Sequence, residues 1–333
     1  MKYCNFLVLA GILTIFCSCA SGSAETAALV LGRSSEAPLF LSCKAVSETE
    51  IHFQFSRPVT VTALHFSPAI QVETVEGGST VRVFFSGDLK PGERLVADLL
   101  AEDSNGNTIN VLVPFRTRNN RIPKLRINEL RTENSNPKHE FIEFKTFAAG
   151  NLGALRLFVA SNNKTPLLYE FPPIEVKDRE YIVLHLRTSE EGSRDELDGN
   201  LEKSGGTDSS PAARDLWIPG STKLLRKTDA VYLLDQDDNV IDAVMLSESA
   251  DPWWGKDYFA EAAEFLFKAG AWKSLEGTVC SPAEAILSSG TTNTRTICRD
   301  ETLTVNSGTA ADWYITATSN ATPGRPNSTK RYN

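Results

Sequence analysis

Short runs of apolar residues alternating with polar ones, separated by turn residues, constrain the fold of this chain most strongly. In residues 51–55 the alternation would place Ile51, Phe53 and Phe55 on one face of a strand. Short strands at spacings of about ten residues indicate a β-sandwich. The sequence therefore predicts a small β domain over residues 37–119, with strands at 51–55, 59–61, 72–75, 81–85, 95–100 and 111–115.

Strand patterns return from Leu125 onward. Four runs rich in strand-forming residues are followed by a hairpin around an acidic turn. The runs are residues 125–130, 140–144, 155–159 and 181–186, and the hairpin strands are 230–234 and 240–244. Residues 257–271 have helical spacing instead, with Asp257 as the expected N-cap. The face of this short helix that we expect to pack on the core is Phe259, Ala262, Ala263, Leu266 and Phe267.

The N-terminal segment is typical of an export signal. Residues 5–17 form an apolar run, which is too short for a membrane-spanning helix of about 20 residues and fits a secretory signal. Ser18 directly before Cys19 resembles the bacterial lipobox, although Phe16 stands where Leu is usual. The resemblance implies that Cys19 is acylated and becomes the new N-terminus.

This pattern predicts a lipoprotein signal peptide at 1–18 and a small, polar tether at 19–36. An ordinary signal peptide, cut near Ala20 or Ser23, is the alternative. Two or three acyl chains such as palmitate would hold the protein on a membrane. Ala20 rather than Asp after the lipidated cysteine favours the outer membrane, on its surface or its periplasmic face.

Three cysteines remain after the signal segment and the lipidation site are set aside. Cys280 and Cys298 are predicted to form a disulfide, since an exported protein lies in a compartment that permits one. Two reduced, buried thiols are the alternative. Cys43 is then unpaired and is expected to be a small residue of the core.

The charge and the motif content argue against several functions. The formal net charge is −8, whereas nucleic-acid binding needs a basic surface. The four histidines are scattered, so neither a metal site nor another cofactor is expected. No phosphate-binding loop, nucleophile elbow or zinc-protease motif occurs. Glu140 and Glu143, three apart on a predicted strand, would face opposite sides and cannot converge on one substrate. The sequence thus predicts a protein that is not an enzyme.

Several polar segments have two interpretations. Residues 103–107 and the acidic hairpin around residues 229–242 could bind calcium, but such patterns are more typical of solvated turns. The basic residues 116–126 could contact lipid head groups or form a linker beside an acidic neighbour. The long polar segment 189–215 could be a functional loop or a disordered one. Trp253 and Trp254 could form an exposed aromatic platform or pack under the predicted helix.

Motifs in this sequence resemble two known families. The motifs at 55–59 (FSRPV), 89–92 (LKPG), 103–107 (DSNGN) and 114–117 (PFRT) resemble bacterial Ig-like domains of the SbsA type. The second half looks like a lamin-tail domain, in motifs that fall in the family's order. They are INEL (127–130), EFIEF (140–144), LGALRL (152–157), YIVL (181–184), DAVYLLD (229–235), VIDAV (240–244), SLE (274–276), DW (312–313) and TPGRPN (322–327). Lys145-Thr146, the segment 189–215 and the predicted helix depart from that family's pattern.

The resemblances imply an all-β fold of two tandem Ig-like β-sandwiches, a bacterial Ig-like domain at 37–119 and a lamin-tail-like domain at 120–330. The combination looks like spirochaetal lipoproteins of the cell envelope. The predicted function is a membrane-anchored, non-enzymatic lipoprotein that binds or adheres to an unidentified protein or carbohydrate, with Trp253 and Trp254 as candidate contacts. The alternatives are a structural protein of the periplasm and a non-catalytic accessory module of a hydrolase or nuclease.

Overall fold

A computed structural model describes residues 36–188 and 190–332, in which the chain divides into two compact units. The first unit runs to Leu89 and continues over Arg94–Thr117, and the second comprises Lys90–Glu93 and everything from Arg118 onward. The described part of the chain contains nineteen strands, one α-helix and two short 3₁₀ helices. The predicted all-β fold with a single α-helix is therefore confirmed.

The first unit is one antiparallel sheet of six strands. Its order is β3-β4-β2-β5-β6, and β1 pairs with β2. The strands are β1 (Phe40–Ala45), β2 (Glu50–Ser67), β3 (Val72–Glu76), β4 (Gly78–Phe85), β5 (Arg94–Asp103) and β6 (Thr108–Arg116).

The long strand β2 builds the core of the first unit. Its first half pairs with β1 and β4, and its second half, from Val59, pairs with β5. The sequence predicts two strands here, but the chain runs through as one strand with register shifts. The expected alternation of Ile51, Phe53 and Phe55 is confirmed, since all three are at most 1% exposed.

The second unit contains two larger sheets and one strand pair. The six-stranded sheet has the order β14-β13-β8-β7-β18-β19, and the five-stranded sheet β11-β10-β15-β16-β17, while β12 pairs with β9. The strands are β7 (Leu125–Arg131), β8 (Phe141–Thr146), β9 (Gly150–Asn151), β10 (Arg156–Val159), β11 (Leu167–Glu170), β12 (Glu175–Val176), β13 (Tyr181–His185), β14 (Ala213–Trp217), β15 (Asp229–Leu234), β16 (Val240–Ser247), β17 (Ile286–Leu287), β18 (Ile297–Arg299) and β19 (Trp313–Ile315).

One hydrophobic core joins these two sheets into a sandwich. Ile127 and Phe144 come from the six-stranded sheet, and Leu157 and Val244 from the five-stranded sheet, and all four are completely buried. Phe144 packs edge-on against Phe171 at 5.5 Å between ring centroids. Burial of such side chains contributes about 1.5–3 kcal/mol each to folding.

The α-helix of the described residues, α1, spans Asp257–Lys268. It ends three residues before the predicted limit because Ala269 and Gly270 turn the chain, Gly270 with a φ of +69°. The residue before the helix, Lys256, is the N-cap and makes no capping hydrogen bond, so the prediction of Asp257 as N-cap is wrong. The predicted buried face is confirmed except for Phe267, which is half-buried.

The predicted signal peptide, the lipidation site Cys19 and the tether up to residue 35 lie outside the described residues. Within residues 36–188 and 190–332, no helix has the length and apolar character needed to cross a bilayer.

Candidate functional site

A polar pocket of about 380 Å³ opens on the second unit. Four segments that are far apart in sequence form its walls: the end of β7 and the turn after it, the long polar loop, the turn before β18, and the C-terminal segment. The lining residues are Arg131, Lys138, Thr207, Asp208, Ser209, Ser210, Thr294, Ser319, Ala321, Pro323 and Arg325. This set combines three cations, one carboxylate and five hydroxyl groups.

Arg131 forms the floor of the polar pocket and is only 1% exposed. Its guanidinium forms an ion pair with Asp208 and lies 4.8 Å above the ring of Phe141. Nη1 also donates to the carbonyl of His139 at 3.2 Å. Nε is buried and has no hydrogen-bond acceptor among the described residues. A buried N–H group without an acceptor is rare in native structures.

The two other cations of the pocket form no ion pair within residues 36–188 and 190–332. Neither Lys138 nor Arg325 forms an ion pair with any residue that the structure describes, whereas Asp208 is committed to Arg131. Ser319, which also lines the pocket, has a φ of +61°. Residues other than glycine adopt this backbone conformation at a cost.

Two buried carboxylates fix the C-terminal wall of the pocket. Glu129 of β7 and Glu143 of β8 are direct cross-strand partners and are completely buried. Glu129 accepts hydrogen bonds from the backbone N–H of Thr322 at 3.1 Å, and Glu143 accepts one from Gly324 at 2.6 Å. We call these four residues the acidic clasp. It holds the segment that carries Pro323 and Arg325.

Burial sets the protonation of the acidic clasp. Loss of hydration raises the pKa of Glu143 well above its ordinary value, and the neighbouring Glu129 raises it further. The same desolvation raises the pKa of Glu129, against the hydrogen bonds from Thr296 and Thr322. Two carboxylates this close share a proton more readily than both ionise. The clasp is therefore a structural support, closed to solvent.

The loop that forms the opposite wall is ordered by its own hydrogen bonds. Glu196 is completely buried and accepts from the backbone N–H groups of Lys203, Ser204 and Asp215 at 2.9–3.0 Å. Residues 190–215 are thus ordered. Of the two interpretations of this segment, the disordered one does not hold for these residues.

A buried ion pair ties this loop to the sheet. Arg214, only 2% exposed, lies 2.8 Å from Glu180 and donates to the backbone carbonyls of Glu196 and Asp198. Buried charges of this kind are stabilising only when their geometry is complete, since each ion loses its hydration. The loop wall therefore has one preferred arrangement.

The two tryptophans singled out in the sequence differ in their environment. Trp253 is 74% exposed, as the platform hypothesis requires. Trp254 is half-buried, donates from Nε1 to the carbonyl of Cys280 at 2.9 Å, and packs against Phe259 of α1. Of the two interpretations, exposure therefore holds for Trp253 and packing against the helix for Trp254, and neither ring lines the polar pocket.

The predicted disulfide between Cys280 and Cys298 is absent, since both residues are free thiols. Cys298 lies in β18 between β7 and β19, with its Sγ 3.8 Å from Thr296 Oγ1. Cys280 lies in the apolar core and its Sγ donates to the carbonyl of Ser281. The bridge was predicted from the exported compartment and the few cysteines that remain, but the two thiols lie in different environments. Cys43 is a half-buried residue against the first core, and burial raises the pKa of its thiol to about 12.

The acidic segments are turns and buried anchors. Asp103 accepts from the backbone N–H groups of Asn105 and Asn107 at 2.8 and 3.0 Å, which confirms the turn interpretation. Asp235 binds Asp237 and Asn239 in the same way. The solvated-turn prediction is wrong for Asp229 and Asp242, which are buried and hold backbone N–H groups. The described residues contain no group of three or more His, Cys, Asp or Glu placed to hold a metal.

Of the two interpretations of the basic segment 116–126, the structure supports the linker beside an acidic neighbour. Arg118 pairs with Asp237 at 2.6 Å and Arg121 pairs with Glu175, so acidic neighbours neutralise these cations.

Glu140, which is completely buried, pairs with Arg187 through both carboxylate oxygens at 2.6 and 2.7 Å.

Sequence reasoning missed the polar pocket because its walls come from positions up to about 190 residues apart. A signal was nevertheless present. Three of the motifs behind the lamin-tail resemblance, INEL, EFIEF and TPGRPN, contain the residues of the acidic clasp. Asn327 of the last motif also donates to the backbone carbonyl of Asn128 in the first at 3.2 Å. The residues of these motifs come together in the folded protein, so the motifs were the sequence signal for this region.

The comparison with known proteins includes a family model, a relative and a solved structure. A family model described as TP_1001_2nd, protein second domain, matches residues 123–315, which is more than half of the chain. An uncharacterized protein of Treponema pallidum (strain Nichols) is 26% identical over 224 residues, covering 62% of this chain and 56% of that protein. The match thus spans little more than half of the relative's length.

A solved structure, the N-terminal part of the bacterial S-layer protein SbsC, shares 12% identity with a TM-score of 0.24 and covers 68% of this chain and 47% of that one. A TM-score of this size gives no basis for transferring a function. Treponema is a spirochaete, so the resemblance to spirochaetal proteins is supported by a relative from that group.

The molecule is an all-β protein of two compact units, the second of which carries a polar pocket. Within that class, the chain belongs to the TP_1001_2nd family, which the match over residues 123–315 defines.

Proposed function

We propose that this protein is a lipid-anchored, non-enzymatic binding protein of the cell envelope, and that the polar pocket is where it binds. The observation that carries the proposal is the pocket itself, about 380 Å³ in volume and lined by charged and hydroxyl groups. Ligand sites are typically preformed concavities in which a few polar groups fix the ligand.

The rigidity of the walls supports this proposal. The acidic clasp holds the C-terminal wall, and Glu196 and Arg214 hold the loop wall. A protein that only spaces two layers of the envelope has no need for a preorganised cavity, whereas binding is stronger when the site is ordered beforehand.

The state of the acidic residues supports a non-enzymatic role. General acids and bases must lie within hydrogen-bond reach of a substrate. Glu129 and Glu143 are completely buried, Glu140 is paired with Arg187, and His185 is paired with Asp215 at 2.7 Å beneath the stacked ring of Trp217. These groups serve the fold. The lamin-tail relationship remains part of the proposal, supported by the contacts among its motif residues.

The anchoring part of the proposal is carried by the lipobox-like sequence before Cys19. Metabolic labelling with an alkyne analogue of palmitate should mark the wild-type protein, and Cys19→Ser should remove the label. The matched control Cys43→Ser should keep it. A label that survives Cys19→Ser would refute lipidation at this cysteine.

Binding is tested with the purified full chain and a variant that fills the pocket. The chain is incubated with polar metabolites extracted from the cells, and retained molecules are identified by mass spectrometry. Ala321→Trp should abolish retention because the indole occupies the cavity, whereas Ala269→Trp, on an exposed position after α1, should not. Equal retention by all three proteins would contradict the proposal. Loss of retention on Trp253→Ala alone would move the site to that exposed ring.

A further inference from the structure

The charge of the polar pocket is opposite to that of the protein. The chain has a formal net charge of −8, yet the pocket contains three cations, Arg131, Lys138 and Arg325, against the single carboxylate of Asp208. Asp208 neutralises Arg131, so two positive charges remain. Unpaired cations gathered in a concavity raise the local concentration of anions.

A second observation concerns the floor of the polar pocket. Arg131 lines this cavity, and its buried Nε has no hydrogen-bond acceptor among the described residues. Leaving a buried N–H unsatisfied costs free energy, and more for a charged group.

The hydroxyl groups of the walls add a further preference. Ser209 donates to the carbonyl of Gly206 and Thr207 donates to Glu190, so their oxygens can accept hydrogen bonds from a ligand. Ser319 is held at its strained φ of +61° while its backbone N–H donates to Thr294. Hydroxyl groups on several sides of a cavity suit a ligand that carries hydroxyl groups itself.

The size of the cavity limits the ligand. At about 380 Å³ the pocket lies near the lower end of the range of about 300–1,000 Å³ that is usual for small-molecule sites. A single sugar ring with one charged substituent is of this size, whereas a folded partner or an extended polymer could insert only a terminal group.

We infer that the polar pocket binds a small, hydroxyl-rich molecule that carries an oxyanion, and that Lys138 and Arg325 contact this oxyanion above the floor formed by Arg131. The inference rests on the proposed function and specifies its ligand. A carboxylate and a phosphate present the same chemistry to the two cations. Which of these groups the ligand carries is decided by experiment.

Isothermal titration calorimetry on the full chain tests this with three probes: glucose, glucuronate and glucose 6-phosphate. At least one of the two charged sugars should bind about tenfold or more tightly than glucose, since charge-assisted hydrogen bonds add about 1.5–3 kcal/mol. The tighter of the two identifies carboxylate or phosphate as the preferred group. Affinity should fall as salt is raised.

The double variant Lys138→Gln and Arg325→Gln should bind the charged sugar about tenfold more weakly and glucose unchanged. Lys138 is half-buried and Arg325 is exposed, and unchanged far-UV circular dichroism would show that the variant folds. Lys330→Gln, which removes an exposed charge outside the pocket, is the matched control. Equal affinity for glucose and both charged sugars, or no effect of the double variant, would overturn the inference.

The outcomes separate this inference from the proposed function. Glucose binding that Ala321→Trp abolishes, without any preference for the charged sugars, would leave the pocket a binding site and overturn the oxyanion. Failure of all three probes to bind in the millimolar range would also overturn the inference, while retention of another metabolite would keep the proposed function.

Discussion

The two units bury different chemistry. Among the described residues of the first unit, the buried polar side chains are Asp103 and Thr117. The second unit buries twelve Asp, Glu and Arg side chains, which are Glu129, Arg131, Glu140, Glu143, Glu180, Glu196, Arg214, Asp215, Asp229, Asp242, Arg299 and Asp312. An apolar core is non-directional, whereas each buried charge needs a partner in a defined place. The second unit therefore has the more narrowly specified structure, which a binding pocket requires.

The largest expected effect comes from breaking a buried ion pair of the second unit. Arg299 lies 2.5 Å from Asp242 and also donates to the carbonyl of Ile127 at 2.8 Å. Arg299→Met leaves a buried carboxylate unpaired and should lower the free energy of unfolding by about 3–5 kcal/mol. Urea denaturation followed by tryptophan fluorescence measures this, because all five tryptophans lie in the second unit.

The matched variant in the first unit is Arg82→Met. Arg82 pairs with Glu50 at 2.9 Å, but its side chain is 46% exposed, so the cost should be less than about 1 kcal/mol by circular dichroism. Equal losses for Arg82→Met and Arg299→Met would remove the distinction between the units.

A pair of glycines extends the comparison at a smaller scale. Gly324 has a φ of +76°, and an added Cβ would lie 2.7 Å from the Cβ of Ala213 and 2.8 Å from that of Ser210. Gly324→Ala should therefore destabilise by about 2–3 kcal/mol and displace the C-terminal wall. Gly106, with a φ of +85°, meets only the Glu102 side chain at 3.6 Å, so Gly106→Ala should cost about 1 kcal/mol.

Chemical denaturation of both glycine variants provides the measurement. A Gly324→Ala protein as stable as Gly106→Ala would show that the wall does not depend on this close approach.

The pH dependence of stability should differ in sign between the units. Burial raises the pKa of Asp229 in the second unit to about 6, so its folded state holds a proton more tightly than the unfolded state. Stability then falls as pH rises from about 4 to about 6, and lowering the pH from 7 to 5 should stabilise the second unit by about 1–2 kcal/mol.

In the first unit, hydrogen bonds from Asn107 hold the pKa of Asp103 below its ordinary value. The stability that Asp103 contributes is lost only below the ordinary aspartate value, so it gives no gain between pH 7 and pH 5. Asp229→Asn should reduce the gain seen by tryptophan fluorescence. A second unit that becomes less stable over this range would contradict the assignment.

The smallest expected effect is that of a reductant. With Cys280 and Cys298 as free thiols, excess dithiothreitol should leave the unfolding midpoint of the second unit unchanged. A disulfide between Cys280 and Cys298 would close a loop of about 19 residues and contribute about 3 kcal/mol, so a clear fall in the midpoint would restore the predicted bridge.

The sequence was most informative where structure depends on neighbouring residues. The alternation at Ile51 to Phe55 and the turn at Asp103 follow from strand geometry and from local hydrogen bonds, and both were predicted. The buried face of α1 followed from helical spacing in the same way.

The polar pocket could not be predicted because its contacts are distant in sequence. Arg131 meets Asp208 and Glu129 meets Thr322, and nothing in the local pattern assigns those partners. The wrong disulfide has the same origin, since neither the compartment nor the number of cysteines shows whether two thiols meet in the fold.

The most direct test of the division between the units is a titration followed by amide NMR. The full chain is titrated with glucuronate and glucose 6-phosphate, and shifts are mapped onto the sequence. We expect changes at pocket residues of the second unit, such as Thr207, Ser319 and Arg325, that saturate with the ligand, and no changes in residues 40–89 and 94–116 of the first unit. Saturable shifts in the first unit, with none around the pocket, would contradict this expectation.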